Sequence, residues 1–374
     1  MKILLIDDKA DLGWKQLIEK LFPIPTMIID TALTIETAIN KISDKYDLIF
    51  LDVRLDAIDH KKCKIEEFSG FKILKEIKKE FLSVNFATPI ILLTATNKVW
   101  NIDAFRNYGV DAYYIKEHPD NVFDKETSKQ NYDNLKQDFR KLIEEGSKKE
   151  QIWYLSKEII DKICSHFYFQ GNKKYENVKA RIIDKLKLGF VYLFKEQSLI
   201  EKELLKTNNE ALAFIIYWSI LEEIVKGFSD VNENWDAIYK RKSDWKFRNK
   251  EYFIEVLTND NIKINFSKVG HGQYIKREVE YKNDNIDYNN YIGIINLSLQ
   301  VYGLLASYIP ENSEFNQKAD EFKKINKFRN EVDFIHSNVQ NIYEKELIDQ
   351  KDLTEHFEFS VKVLKFIRDI LKTL

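Results

Sequence analysis

Asp7 and Asp8 directly follow the apolar run Ile3-Leu4-Leu5-Ile6, and Asp52, Thr94 and Lys116 each stand at the end of another short apolar run. Together they supply three carboxylates, a hydroxyl and an ammonium. On an open parallel sheet, separate strands would bring all five to one edge, where ligands of doubly wound folds bind. That is what a phosphoryl-accepting site needs. Two or three carboxylates suit Mg²⁺, which takes hard oxygen ligands and keeps several waters. A lysine offers the phosphoryl oxygens a compact positive charge. Metal and lysine together neutralise the charge that builds up in transfer, where positioning and electrostatics supply most of the catalysis.

The elements that must position these groups alternate. Residues 3–6, 48–51, 90–93 and 113–115 are short apolar runs of the kind buried on both faces of a sheet. Helical patterns at 12–21, 34–42 and 70–80 lie between them. The alternation predicts an α/β, doubly wound parallel sheet with right-handed crossovers.

In these residues the first third, 1–120, resembles the receiver domain of response regulators, a five-stranded flavodoxin-like fold. The resemblance implies Asp52 as phosphoacceptor. It implies a Mg²⁺ site made by Asp8 and Asp52, with Asp7 acting through a water and the backbone carbonyl of Arg54 completing the set. It further implies Lys116 on the phosphoryl oxygens, a Thr94 hydroxyl that turns to the phosphate, and Tyr113 as the switch aromatic. Its partner would be a histidine kinase or phosphotransfer protein. Glu117 follows Lys116 where the family usually has Pro. The loop from 55 to 69 is long and charged; regulating access and binding the kinase are roles open to it, and it reads first as solvated surface.

Residues 121–150 read as a helical connector. Tyr132, Leu135, Phe139, Leu142 and Ile143 recur at helical spacing, and Gly146 is a natural helix stop. Such a helix either carries a signal, pairs with its copy in a dimer, or packs on its own domain. From 151 to 374 helical patterns dominate, at 151–167, 175–194, 209–228, 288–309, 313–336 and 351–374. The stretch 250–287 is β-prone around Gly270 and Gly272 and reads as a hairpin-like insertion in a helical bundle.

Arg329 and His336 are seven residues apart, close to two helical turns, so they share a helix face. With Asn330 after the Arg, and with the apolar helix at 213–223 ending in Glu222 and Glu223, this segment resembles HEPN domains over roughly 196–374. The resemblance implies metal-independent RNA cleavage by Arg329 and His336 across a homodimer, with Asn330, Glu222 and Glu223 as possible support. The chemistry is coherent, since His titrates near neutral pH and Arg grips phosphate as a planar fork. The alternative is a phosphorylation-dependent scaffold with no catalysis. Lys240, Arg241, Lys242, Trp245 and Arg248 interleave cations with aromatics, which suits RNA contact and equally suits a solvated helix with a buried aromatic stripe.

Composition limits the classes. With 58 basic and 60 acidic residues the formal charge is −2, which argues against a globally basic nucleic-acid binder and leaves a local patch open. Cys63 and Cys164 have no metal-type spacing and fit a reducing cytoplasm. No apolar run approaches the ~20 residues that span a bilayer, so no membrane is expected.

Overall fold

The computed structural model describes residues 1–56, 59, 64–94, 105–116, 125–165, 173–194, 209–228, 230–231, 237–238, 245–248, 253–256, 262–270, 273–281, 301, 304–305, 313–331 and 350–373. The chain divides into two compact units, 1–153 and 154–374.

Unit 1 is built on five strands: β1 (Lys2–Ile6), β2 (Ile28–Ala32), β3 (Leu48–Asp52), β4 (Ile90–Thr94) and β5 (Ala112–Ile115). Their order is β2-β1-β3-β4-β5, and every pairing is parallel. The sheet reverses direction of growth between β1 and β3, the switch point of a flavodoxin-like sheet. The edge strand β2 carries no uninterrupted apolar run, and only Ile29 and Ala32 of its five residues are buried. It therefore escapes a search for strands buried on both faces.

The two faces are covered by different helices. Leu4, Ile6, Ile49, Leu51, Ile90 and Leu92 face α2 (Ile35–Lys41) and α3 (Ser69–Lys78) through Ala38, Phe71, Leu74 and Ile77. Ile3, Leu5, Leu48, Phe50, Ile91 and Leu93 face α1 (Trp14–Leu21) and α4 (Lys125–Ser165) through Ile18, Leu135, Phe139 and Leu142. The alternation along each strand is the two-residue side-chain period of the pleat. Thr34 opens α2 with a reciprocal capping box on Thr37.

Helix α4 corrects one expectation. It runs through Gly146 instead of stopping there. A Cβ at Gly146 would stand 2.7 Å from Pro89 Cγ, so the glycine serves a close approach to the sheet's amino end. Of the roles open for this helix, packing on its own domain is realised through Leu135, Phe139 and Leu142. Trp153 Nε1 also donates to the Phe81 carbonyl at 2.6 Å.

In the charged loop Lys64, Glu66 and Glu67 are exposed, as a solvated surface requires, and Asp59 is the described charged residue that departs from that reading. Asp59 is fully buried. Its carboxylate accepts from Ser69 N at 3.2 Å, Asp56 N at 3.3 Å and Ser69 Oγ. The physical reason is the start of α3, where Phe68 has no side-chain group to cap the first N–H groups. A carboxylate ten residues upstream does so.

Unit 2 is helical, with α5 (Lys173–Phe194), α6 (Asn209–Phe228), α7 (Ser313–Glu331) and α8 (Gln350–Thr373). Aromatic stacking joins three of them: Trp218 lies on Phe322 at 5.5 Å, Phe322 on Phe366 at 5.6 Å, and Phe328 on Phe359 at 3.8 Å. The β-prone stretch holds β10 (Ile262–Gly270) and β11 (Gln273–Tyr281), an antiparallel pair in register Gly270↔Gln273. Short pairs β6–β7 (Asp230–Val231, Ala237–Ile238) and β8–β9 (Trp245–Arg248, Phe253–Val256) precede it. The helix considered for the Trp245 segment is thus a strand. Among the described residues, no helix is long and apolar enough to cross a membrane.

Candidate functional site

Asp7 is the first residue past β1. Its N–H donates to the Ala32 carbonyl at 3.0 Å, so the β1–β2 pairing runs into the site, and its Oδ1 accepts from Lys9 N at 2.8 Å. The side chain is fully buried, whereas Asp8 beside it is exposed. Asp52 ends β3, and its Oδ1 takes the Arg54 N–H at 3.4 Å. Its backbone is pressed by α3: Gly70 N donates to the Val53 carbonyl at 3.2 Å. A Cβ on Gly70 would overlap the Asp52 carbonyl oxygen and come within 2.9 Å of Val53 Cα. Only glycine fits there.

Lys116 follows β5, and its Nζ lies 2.5 Å from Asp7 Oδ2 and 2.6 Å from Asp52 Oδ2. One ammonium thus bridges two buried carboxylates. The carbonyl of Ile115, one residue earlier, accepts from Asn131 Nδ2 of α4 at 2.8 Å. The Trp14 ring sits over the ammonium with its centroid 5.3 Å from Nζ.

Burial pushes the Asp52 carboxyl up to about 6 from its ordinary 3.8. Lys116 pulls it down, and the Asp7 charge adds to the rise. Carboxylate oxygens of Asp7, Asp8 and Asp52 lie within 4.8 Å of one another. This all-oxygen donor set, one member exposed, fits a small hard divalent cation.

The expected N-terminal residues converge in part directly. Asp7, Asp8, Asp52 and Lys116 meet at one point. Arg54 donates its backbone N–H to Asp52 Oδ1, while its guanidinium lies over Phe68 at 5.1 Å. Thr94 ends β4 in register with Ile115, which puts it at the same strand edge. Tyr113 is 38% exposed, with the Arg106 guanidinium over its ring at 5.4 Å.

The C-terminal candidates do not converge in this way. Arg329 is half-buried in the last turn of α7, Asn330 follows it in the helix, and His336 lies outside the described residues. Glu222 is half-buried. Glu223 is buried and holds Arg181 Nε at 2.7 Å and Lys185 Nζ at 2.9 Å, a clamp between α5 and α6. Lys240, Arg241 and Lys242 lie outside the described residues, and Trp245 and Arg248 are the end residues of β8.

Sequence reasoning missed Trp14, Asn131, Asp59 and the close fit at Gly70. A Ser-Gly pair opening a helix was the available signal for the last. The other three had none, because contacts to Lys116, Ile115 and Ser69 form only when separate elements pack.

A flavodoxin-like sheet with a carboxylate–lysine cluster beyond its strand ends defines a phosphoacceptor-type receiver fold. No family model matches the chain, and no curated protein does. Among solved structures, it is similar to a two-component response regulator from Clostridium difficile, with 30% identity over 37% of this chain and 96% of that one, at a TM-score of 0.27. A Francisella response regulator receiver domain is 23% identical over 36% and 96%, at a TM-score of 0.25. A CheY-like receiver protein from Methanospirillum hungatei JF-1 is 18% identical over 37% and 97%, at 0.26. With 30% identity along nearly the full length of the first of these, the N-terminal unit belongs to the response-regulator receiver family.

Proposed function

We propose that this chain works as a two-component response regulator in which Asp52 accepts a phosphoryl group and the N-terminal unit controls the helical one. The carrying observation is the convergence of Asp7, Asp8, Asp52 and Lys116 at the end of a parallel sheet. An Asp52 carboxylate oxygen attacks phosphorus of a phosphohistidine on a histidine kinase or phosphotransfer protein. The P–N bond breaks, and the imidazole leaves with the electron pair and takes up a proton. Lys116 passes from the Asp52 carboxylate to the phosphoryl oxygens while Asp7 remains its second anchor. Asp8, Asp52 and the Arg54 carbonyl, with Asp7 through a water, would hold a Mg²⁺, which would supply positive charge to the phosphoryl oxygens. Thr94 is the hydroxyl donor to the product, and Tyr113 the aromatic that responds.

Acetyl phosphate with Mg²⁺ tests this by mass spectrometry of the intact protein. One phosphoryl group on the wild type and none on Asp52→Asn is expected. Equal labelling of both overturns the assignment.

For the helical unit the proposal extends to HEPN-like, metal-independent RNA cleavage by Arg329 and His336 of a homodimer. It rests on their seven-residue spacing in the sequence, with Asn330 directly after the Arg. Cleavage of a mixed RNA pool in EDTA, abolished by His336→Ala, is the expected result. Intact RNA with the wild type, in EDTA and with Mg²⁺ and beryllofluoride alike, favours the non-catalytic scaffold instead.

A further inference from the structure

Trp14 stands in the first turn of α1, just after Gly13, whose φ of +127° turns the chain from a short 3₁₀ turn into the helix. The ring lies over the Lys116 ammonium, its centroid 5.3 Å from Nζ. Tyr114 meets it edge-on at 6.1 Å and 77°. Tyr114 is itself buried, and Tyr132 of α4 tilts against it at 6.0 Å. Tyr114 and Tyr113 are neighbours on β5 and so face opposite sides of the sheet. The Trp14 contact therefore belongs to the α1/α4 side, away from Tyr113.

Lys116 is only 12% exposed, although it bears a full charge. Two carboxylates supply the attraction, but they alone do not fix a four-carbon stem with three rotatable donors. An indole face within about 6 Å attracts the cation and excludes water from it.

We propose that Trp14 is a positioning residue for Lys116, holding the ammonium over the Asp7–Asp52 pair where it meets an incoming phosphoryl group. The part concerning phosphoryl transfer rests on the phosphoacceptor reading of Asp52. The holding of the ammonium does not.

The two parts are measured separately in the full-length protein. Trace acetylation with acetic anhydride, without metal or phosphodonor, reads the accessibility of Lys116 by peptide mass spectrometry. Trp14→Leu should raise Lys116 labelling at least about threefold, the equivalent of ~0.7 kcal/mol of lost cover. Trp14→Phe, which keeps a ring, should stay nearer the wild type. Unchanged Lys116 labelling in Trp14→Leu overturns the proposal, whatever phosphorylation does.

Asp52 phosphorylation by acetyl phosphate and Mg²⁺ is the second readout. Trp14→Leu should slow it roughly three- to thirtyfold. In a Lys116→Met background the same change should add nothing, because a residue acting through another is silent once that partner is gone. Equal slowing in both backgrounds reduces Trp14 to a packing residue. A wild type that takes no phosphoryl group sinks the phosphoacceptor reading and the transfer role with it, while the labelling result still decides whether Trp14 holds Lys116.

Discussion

Gly70 lies so close to Asp52 that any side chain on it would overlap the Asp52 carbonyl oxygen. The start of helix α3 therefore sets where the proposed acceptor's backbone runs. Asp59, which accepts from Ser69 N, ties that helix start to the preceding loop.

Gly70→Ala should accordingly harm unit 1 and its site together. Overpacking of this kind costs roughly 1–3 kcal/mol. Urea unfolding should show that loss, and phosphorylation of Asp52 should slow even where the variant remains folded. A variant with wild-type stability and rate would show that the close fit is not needed.

The pH dependence of stability follows from Asp52. Its carboxyl is raised in the folded protein from 3.8 to about 6, so between those values the unfolded chain releases a proton that the folded one keeps. Stability of the metal-free protein therefore falls as pH rises through this window, by about 3 kcal/mol in all. Asp52→Asn removes the loss while Lys116 keeps Asp7. The variant should be more stable than the wild type at pH 7.5 in EDTA, with the advantage gone near pH 4. Urea midpoints that differ equally at both values would refute the burial account.

In unit 2, a Cβ on Gly189 would stand 2.6 Å from Tyr217 Cζ, and that ring is fully buried. The glycine lets α5 and α6 approach across the tyrosine. Gly189→Ala should destabilise unit 2 by roughly 1–3 kcal/mol, without altering Lys116 acetylation in unit 1. Circular dichroism during thermal unfolding reads the first and peptide mass spectrometry the second.

Much of unit 1 was legible in the sequence because its signals are local. Apolar runs mark β1, β3, β4 and β5, and an acidic or basic residue at the end of a buried strand stands out against them. β2 was harder to see, because an edge strand is only half buried and mixes Asp30 and Thr31 with its apolar residues. Gly146 misled because a glycine inside a helix looks the same whether it ends the helix or admits a neighbour. Only the approach of Pro89 distinguishes the two.

By itself the sequence determined which residues could carry the phosphoryl chemistry and which strand ends would carry them, since both follow from residue type and short-range period. Tertiary structure decided the environment of those residues. It buries Asp7 and leaves Asp8 in water, sets one ammonium between two carboxylates, brings Trp14 over it, and turns Asp59 from an apparent surface charge into the cap of α3. It also commits Glu223 to Arg181 and Lys185. Each of these depends on groups that different elements bring together, and no local periodicity records a contact made only when separate elements pack.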